Sequence, residues 1–299
     1  MKVARKLIVT AIATVLLLSV VAPAFADTII IQPNGAEGKD AFVRKAEPNS
    51  NFGAGEDLRL GIYRNTDDEH RVLIQFDLRE IPLGSVVDSA ALSLHHFTEE
   101  NGYYYLTLDA HRVTEDWSET EVTWNNQPSF DPIAESSNFF DRYHPSPDWH
   151  EWDLANLAQS WIDGVYSNYG VAITVGQPSQ GYSLKICRSS DYSQDVTLRP
   201  KLLVDYVPAS PLRTLDYMIT FVERSREKGL IDDNDVAESL TEKLIAASEK
   251  LAEGREKTAE NILGAFVNSI EAQRGKHINT EVADSLVNSA RYAIDSLMN

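Results

Sequence analysis

The sequence predicts an antiparallel β-sandwich, jelly-roll-like in its strand pattern, followed by a separate C-terminal α-helical bundle. Three observations carry that expectation. Apolar residues alternate at period two from Thr28 to Val207, as half-buried strands require. Clusters of glycine, proline and asparagine interrupt the same region, such as "QPNGAEGKD", "EPNSNFGAGED" and "GQPSQG", with no strand–helix rhythm of the kind that builds a parallel sheet. After "VPASP" (Val207 to Pro211) apolar residues recur at three and four, which is the spacing of amphipathic helices.

The chain begins with Lys2, Arg5 and Lys6 ahead of "LIVTAIATVLLLSVVAPAFA", with Ala24 and Ala26 flanking Phe25. This reads as a secretory signal over residues 1–26, cut before Asp27. Leu7 to Val21 is 15 residues, short of the roughly 20 that a spanning helix needs. No later stretch is apolar enough to span, so the expectation is an exported, extracellular or cell-surface protein. Losing the three leader cations takes the net charge from -18 to -21. So acidic a chain repels nucleic acid, which is excluded as a partner.

The sandwich is expected over residues 27–207. In "RVLIQFDL", Val72, Ile74, Phe76 and Leu78 share one face while Arg71, Gln75 and Asp77 share the other. The same alternation runs through Ala90, Leu92 and Leu94, then Leu106, Leu108 and Ala110, then Val171, Ile173 and Val175, and then Leu202, Val204 and Tyr206. About ten strands result. One helix interrupts them at "DLANLAQSWIDG", where Leu154, Leu157, Ala158 and Trp161 precede Gly164. The single cysteine, Cys187, rules out an internal disulfide. In "YSLKIC" it falls opposite Tyr182, Leu184 and Ile186, where a small side chain on a half-buried strand explains it better than a nucleophile.

Residues 208–211 read as a linker and 212–299 as a four-helix module. Its apolar rows are Leu215, Met218 or Ile219, and Val222; Val236, Leu240, Leu244, Ala247 and Leu251; Ile262 or Leu263, Phe266 and Ile270; and Val282, Leu286, Ile294 and Leu297. Gly229 and Gly254 close the first two helices, Asp232 or Asp233 caps the second, and Asn279 or Thr280 caps the fourth.

Candidate chemistry is sparse. The stretch "HRVTEDWSETEVTWNNQP" (His111 to Pro128) places Glu115, Asp116, Glu119 and Glu121 near two tryptophans. Strand periodicity turns Glu119 and Glu121 away from the face of Val122 and Trp124, and exposed carboxylates with ordinary pKa values make poor general acids. Trp124 is then a core anchor, and Trp117 fixes the loop before it. No catalytic residue is singled out. His95, Tyr103, Tyr105 and His111 lie on the polar side of their strands; if those strands pair, aromatic and imidazole groups gather into a sugar-binding face, with Arg71 as a cation. Zinc is not expected, since no HExxH occurs and adjacent His95 and His96 point to opposite faces. No cofactor is expected, although "NTDDEH" and "EGKD" offer oxygen ligands that would suit a structural calcium. No GxSxG, P-loop or Rossmann glycine pattern is present.

The runs "KDAFVRKAEPNSNFGAGEDLRLG", "RVLIQFDLREIP", "VVDSAALSL", "HRVTEDWSETEVTWNNQP", "WHEWDLANLAQSWIDG", "NYGVAI" and "RPKLLVDY" follow in the order of the DNRLRE domain. That domain is also called carbohydrate-binding module family 96 and is related to repeats in archaeal disaggregatase. The resemblance covers Thr28 to Val207 and implies an extracellular β-sandwich that binds polysaccharide, with uronate-containing glycans among family ligands. Where the family pattern has tyrosine in "DxYV" and "NYG", this chain has Phe42 and Phe52. An anionic ligand would also need local cations, such as Lys39, Arg44, Arg59 and Arg71, against the overall charge. Residues 215–297, with "NILGAFVNSIEAQRGKHI", resemble the FIMAH-type helical module of secreted surface proteins, which implies attachment to a protein partner.

The expectation is thus a secreted, noncatalytic protein that binds polysaccharide at a cell surface or in a matrix. A polysaccharide lyase or hydrolase acting on matrix glycan is one alternative. A structural adhesin with a helical docking domain is the other.

Overall fold

The computed structural model describes residues 26–63, 67–100, 104–140, 146–177, 179 and 182–298. Apart from Ala26, the signal segment lies outside them, as does Tyr103.

Eleven strands form one antiparallel network. They are β1 (Asp27–Ile31), β2 (Lys39–Arg44), β3 (Asp57–Tyr63), β4 (Asp68–Gln75), β5 (Val86–Glu100), β6 (Leu106–Arg112), β7 (Ser136–Phe140), β8 (Asp148–Asp153), β9 (Val171–Val175), β10 (Leu184–Arg188) and β11 (Lys201–Val207). One half of the network is β1-β11-β5-β8 and the other is β2-β4-β9-β6-β7, with β10 and β3 carrying the sheet from one half to the other. The curled sheet closes over a single core, to which one half gives Leu92, Leu94, Trp152, Leu202 and Val204 and the other gives Val72, Ile74, Leu108, Ala110 and Ile173. These are the alternating apolar positions of the sequence. Helix α1 (Ala155–Ile162) adds Leu157, Ala158, Trp161 and Ile162 to that core.

A second, smaller core lies on the outer side of the β2-β4-β9 layer, where Ala41, Val43, Leu73 and Ala172 meet Val113, Trp117 and Val122. The covering segment, residues 113–130, is turns and extended chain rather than a strand, so alternation does not govern its side chains. This corrects the sequence reading of Glu119, Glu121 and the tryptophans. Trp117 is the buried anchor, with its indole donating to the Tyr169 carbonyl at 3.0 Å, while Trp124 is half-buried at the edge. Cys187 needs correction too. Residues 184–187 of β10 are buried on both faces, and Cys187 sits in the main core. Burial pushes its thiol up to about 12, which leaves no thiolate for chemistry.

The four C-terminal helices are α2 (Pro211–Glu227), α3 (Asn234–Ala252), α4 (Glu256–Gln273) and α5 (Thr280–Leu297). Each packs on two neighbours, α2 and α4 both contacting α3 and α5, around Leu215, Met218, Leu240, Leu244, Leu263, Phe266 and Leu286. Ser210, Asp233 and Asn279 cap α2, α3 and α5 through their side chains. Pro211 opens α2 as its first residue, where a missing N–H costs nothing.

The helices dock on the sandwich. Leu83 joins the helical core, and its backbone N–H donates to Ser289 Oγ at 3.0 Å. Arg224 of α2 and Lys228, which caps the C-terminal end of α2, donate to the carbonyls of Asp163 and Gly164 at the C-terminal end of α1, where the helix leaves its acceptors free. Tyr217 and Phe221 of α2 lie over Gly84 and Gly164. Both glycines have positive φ, and a Cβ there would come within 2.8 and 2.7 Å of those rings.

Candidate functional site

Direct cross-strand partners project to the same side of a sheet, and the registers therefore assemble one outer face from five strands. Lys201 of β11 opposes Ser93, two residues before His95 on β5. His95 opposes Trp149 of β8. Ile186 of β10 opposes Thr98 and Arg59, and Arg188 opposes Asp57 of β3. The register shifts at Phe97, a bulge that turns this ring toward Arg188. All of these lie away from Leu92, Leu94 and Cys187, which face the core.

Along this strip each cation rests on an aromatic ring. Lys201 Nζ lies 4.1 Å from the Trp149 ring, Arg188 Cζ lies 3.4 Å from Phe97 and 4.0 Å from Tyr192, and Arg59 Cζ lies 5.4 Å from Phe42. The ring of Phe42, itself part of the main core, stacks in turn on Phe52 at 4.3 Å, so Arg59 rests on core rings at the two positions where the family pattern has tyrosine. The charges are largely unspent. Arg188 pairs with Asp57 at 3.1 Å, while Arg59 and Lys201 have no ion pair among the described residues. Three buried nitrogens of the strip, Arg59 Nε, Arg188 Nε and His95 Nδ1, have no hydrogen-bond partner among the described residues. Burial, reinforced by Arg188, lowers the pKa of His95, so at neutral pH its ring offers one donor and one acceptor.

The other expected site residues lie elsewhere. Arg71 and His111 meet at one ring, Phe130, at 5.7 and 5.3 Å. Arg71 also stacks 4.4 Å from Trp124 and forks onto Glu69, and His111 Nδ1 is 2.8 Å from the Asp131 carbonyl. Both hold the covering segment in place. Tyr105, just before β6, pairs with the exposed Phe139 at 5.8 Å. Strands β5 and β6 are not neighbours, so His95 stands apart from Tyr105 and His111. Of the other local cations, Lys39 pairs with Asp116 and Arg44 with Asp68 and Glu47.

Sequence reasoning missed Trp149, Lys201, Arg188 and Phe97. Alternation in "RPKLLVDY" already turns Lys201 away from Leu202 and Val204, but only the registers show what it meets.

Acidic groups gather near Asp40. Its Oδ2 accepts from Ser190 N, its own N–H donates to Glu119, and burial pushes its carboxyl up to about 7. Burial raises Glu119 and Asp191 as well. Among the described residues no group of three or more His, Cys, Asp or Glu is arranged to hold a metal ion; Asn65 and Thr66 of "NTDDEH" lie outside them. No helix among them is long and apolar enough to cross a membrane.

The family model for carbohydrate-binding module family 96 matches residues 35–205, more than half of the chain. That for the FIMAH domain matches residues 215–295. No curated protein matches the chain.

Proposed function

We propose, for a chain that belongs to carbohydrate-binding module family 96, that residues 27–207 bind a uronate-containing polysaccharide outside the cell without cleaving it. The observation that carries the proposal is the strip of ring-supported cations, in which Arg59 and Lys201 have no carboxylate partner among the described residues of a chain of net charge -18. A cation lying on a ring keeps its outer donors for a ligand carboxylate. The acidic remainder of the surface screens off polyanions that do not reach the strip. His95 and Trp149 would receive ring hydroxyls and the apolar face of a sugar.

The noncatalytic reading rests on the carboxyl pair. Asp40 and Glu119 have the raised pKa values expected of acids, but Asp40 is 2% exposed and has no path to a glycosidic bond. Export is read from the leader pattern, Lys2, Arg5 and Lys6 ahead of an apolar run. The helical module serves attachment, as a docked partner-binding unit.

Co-sedimentation with acidic and neutral polysaccharides, scored together for new reducing ends and unsaturated uronate absorbance, tests this. Binding of an acidic glycan without products is the expected result. Products would replace the proposal with the lyase or hydrolase alternative, and no binding would leave the adhesin.

A further inference from the structure

A cleft of about 390 Å³ lies between the sandwich and the helical module, within the size range of small-ligand sites and at the kind of domain junction that hosts them. Its sandwich wall is Trp161, Tyr166, Ser167 and Tyr169, and its helical wall is Phe221 and Ser285. Neither domain forms it alone. Its lining mixes aromatic and aliphatic side chains with polar ones.

The cations at this cleft are committed, unlike those on the strip. Lys39 is paired with Asp116, Arg79 with Asp77 and Asp284, and Lys228 donates to the carbonyls of Gly164 and Val165. Burial, with Arg224 nearby, further lowers the pKa of Lys228. Among the described residues no lining cation remains to meet a ligand carboxylate. Two lining side chains, in contrast, hold uncharged hydrogen-bonding capacity in reserve. Among the described residues, Trp161, 8% exposed, has an indole Nε1 with no partner, and Gln75 has a buried Oε1 with none. A donor and an acceptor left open beside aromatic rings match the hydroxyls and the C–H face of an uncharged sugar.

We infer that the interdomain cleft binds a neutral oligosaccharide, a second site whose ligand lacks the charge that the outer strip selects. The inference draws on the carbohydrate-binding reading for the class of ligand, but uses neither the residues nor the electrostatics of the strip. It also gives the helical module a direct part in recognition, as one wall of the site.

The test is calorimetric titration of the full chain with cellohexaose, xylohexaose, maltohexaose and chitohexaose, beside a polygalacturonate oligomer. Ser285→Trp fills the cleft from the helical wall and Ser167→Trp from the sandwich wall; whichever keeps the wild-type melting temperature is used. The expected result is binding of at least one neutral hexamer, weakened about tenfold or more by the filled cleft and unchanged in Trp149→Ala, with polygalacturonate affinity showing the reverse pattern. No neutral binding, or neutral binding indifferent to the filled cleft, overturns the inference while polygalacturonate binding still supports the strip. Loss of every glycan, charged or neutral, would overturn both.

Discussion

Two regions of the sandwich use the same contact, a cation on an aromatic ring, to opposite ends. In the segment covering the β2-β4-β9 layer, Arg71 lies on Trp124 and Phe130, and its guanidinium is taken up by Glu69 and Gln127. Lys39 lies 4.8 Å from Trp117 and is held by Asp116. Both cations there are spent within the protein, and the result is a fastened layer over a small core. On the outer strip Arg59 and Lys201 lie on rings with no carboxylate partner among the described residues, and buried nitrogens stand open there. A cation–ring pair therefore says little about function until its remaining hydrogen bonds are counted.

The comparison breaks most readily at Trp117. Truncating this buried anchor to alanine empties the second core and removes the hydrogen bond to Tyr169, and a cost of about 3–5 kcal/mol follows. Denaturant unfolding should show it as a large fall in midpoint. A wild-type midpoint would mean that the covering segment is an ornament on the sheet. Trp149→Ala is the counterpart on the strip. It should leave the midpoint within about 1 kcal/mol of wild type, since surface changes cost little, while weakening acidic-glycan binding.

Salt separates the two regions further. Exposed, unpaired cations are screened as ionic strength rises, buried contacts much less. Binding of polygalacturonate should weaken steadily between low and physiological salt, whereas the melting temperature barely moves. Binding that ignores salt would argue against a cationic site.

The smallest effect concerns pH. Asp40, raised from 3.8 to about 7, contributes stability that is complete below about pH 4 and is lost as pH climbs through 7. His70, lowered by burial from 6.5 to about 4, does the opposite, contributing stability present above pH 6.5 and lost as pH falls through 4. The two offset each other in the same window. In Asp40→Asn the His70 branch is less opposed, so the melting temperature should rise more steeply from pH 4 to 7 than in wild type. Glu119 and Asp191, raised in the same sense as Asp40, keep the change modest. Parallel pH profiles would contradict these directions.

The helical module was the most legible part of the chain, because its signals are local: Asp233 and Asn279 cap helices, and Gly229 and Gly254 end them with positive φ. The alternating strand interiors were readable for the same reason. Residues 113–130 were not, since a period-two reading fails where the chain turns, and the positions of Trp117 and Trp124 depend on contacts with distant strands. The strip was the hardest to read. Arg59, His95, Trp149, Arg188 and Lys201 come from five strands spread over the domain, and only their registers and the bulge at Phe97 bring them onto one face. Of the described residues expected at a site, His95 alone lies on it, while Arg71 and His111 share Phe130 and Tyr105 stands with Phe139.

The most direct test of the strip is calorimetric titration of a polygalacturonate oligomer into the wild-type chain and the Arg59→Ala, Lys201→Ala double variant, with melting temperatures taken alongside. The strip predicts a loss of about tenfold or more in affinity at an unchanged melting temperature, because neither cation supports the fold through an ion pair. Full affinity in a double variant that is equally stable would place the acidic glycan somewhere else on the molecule.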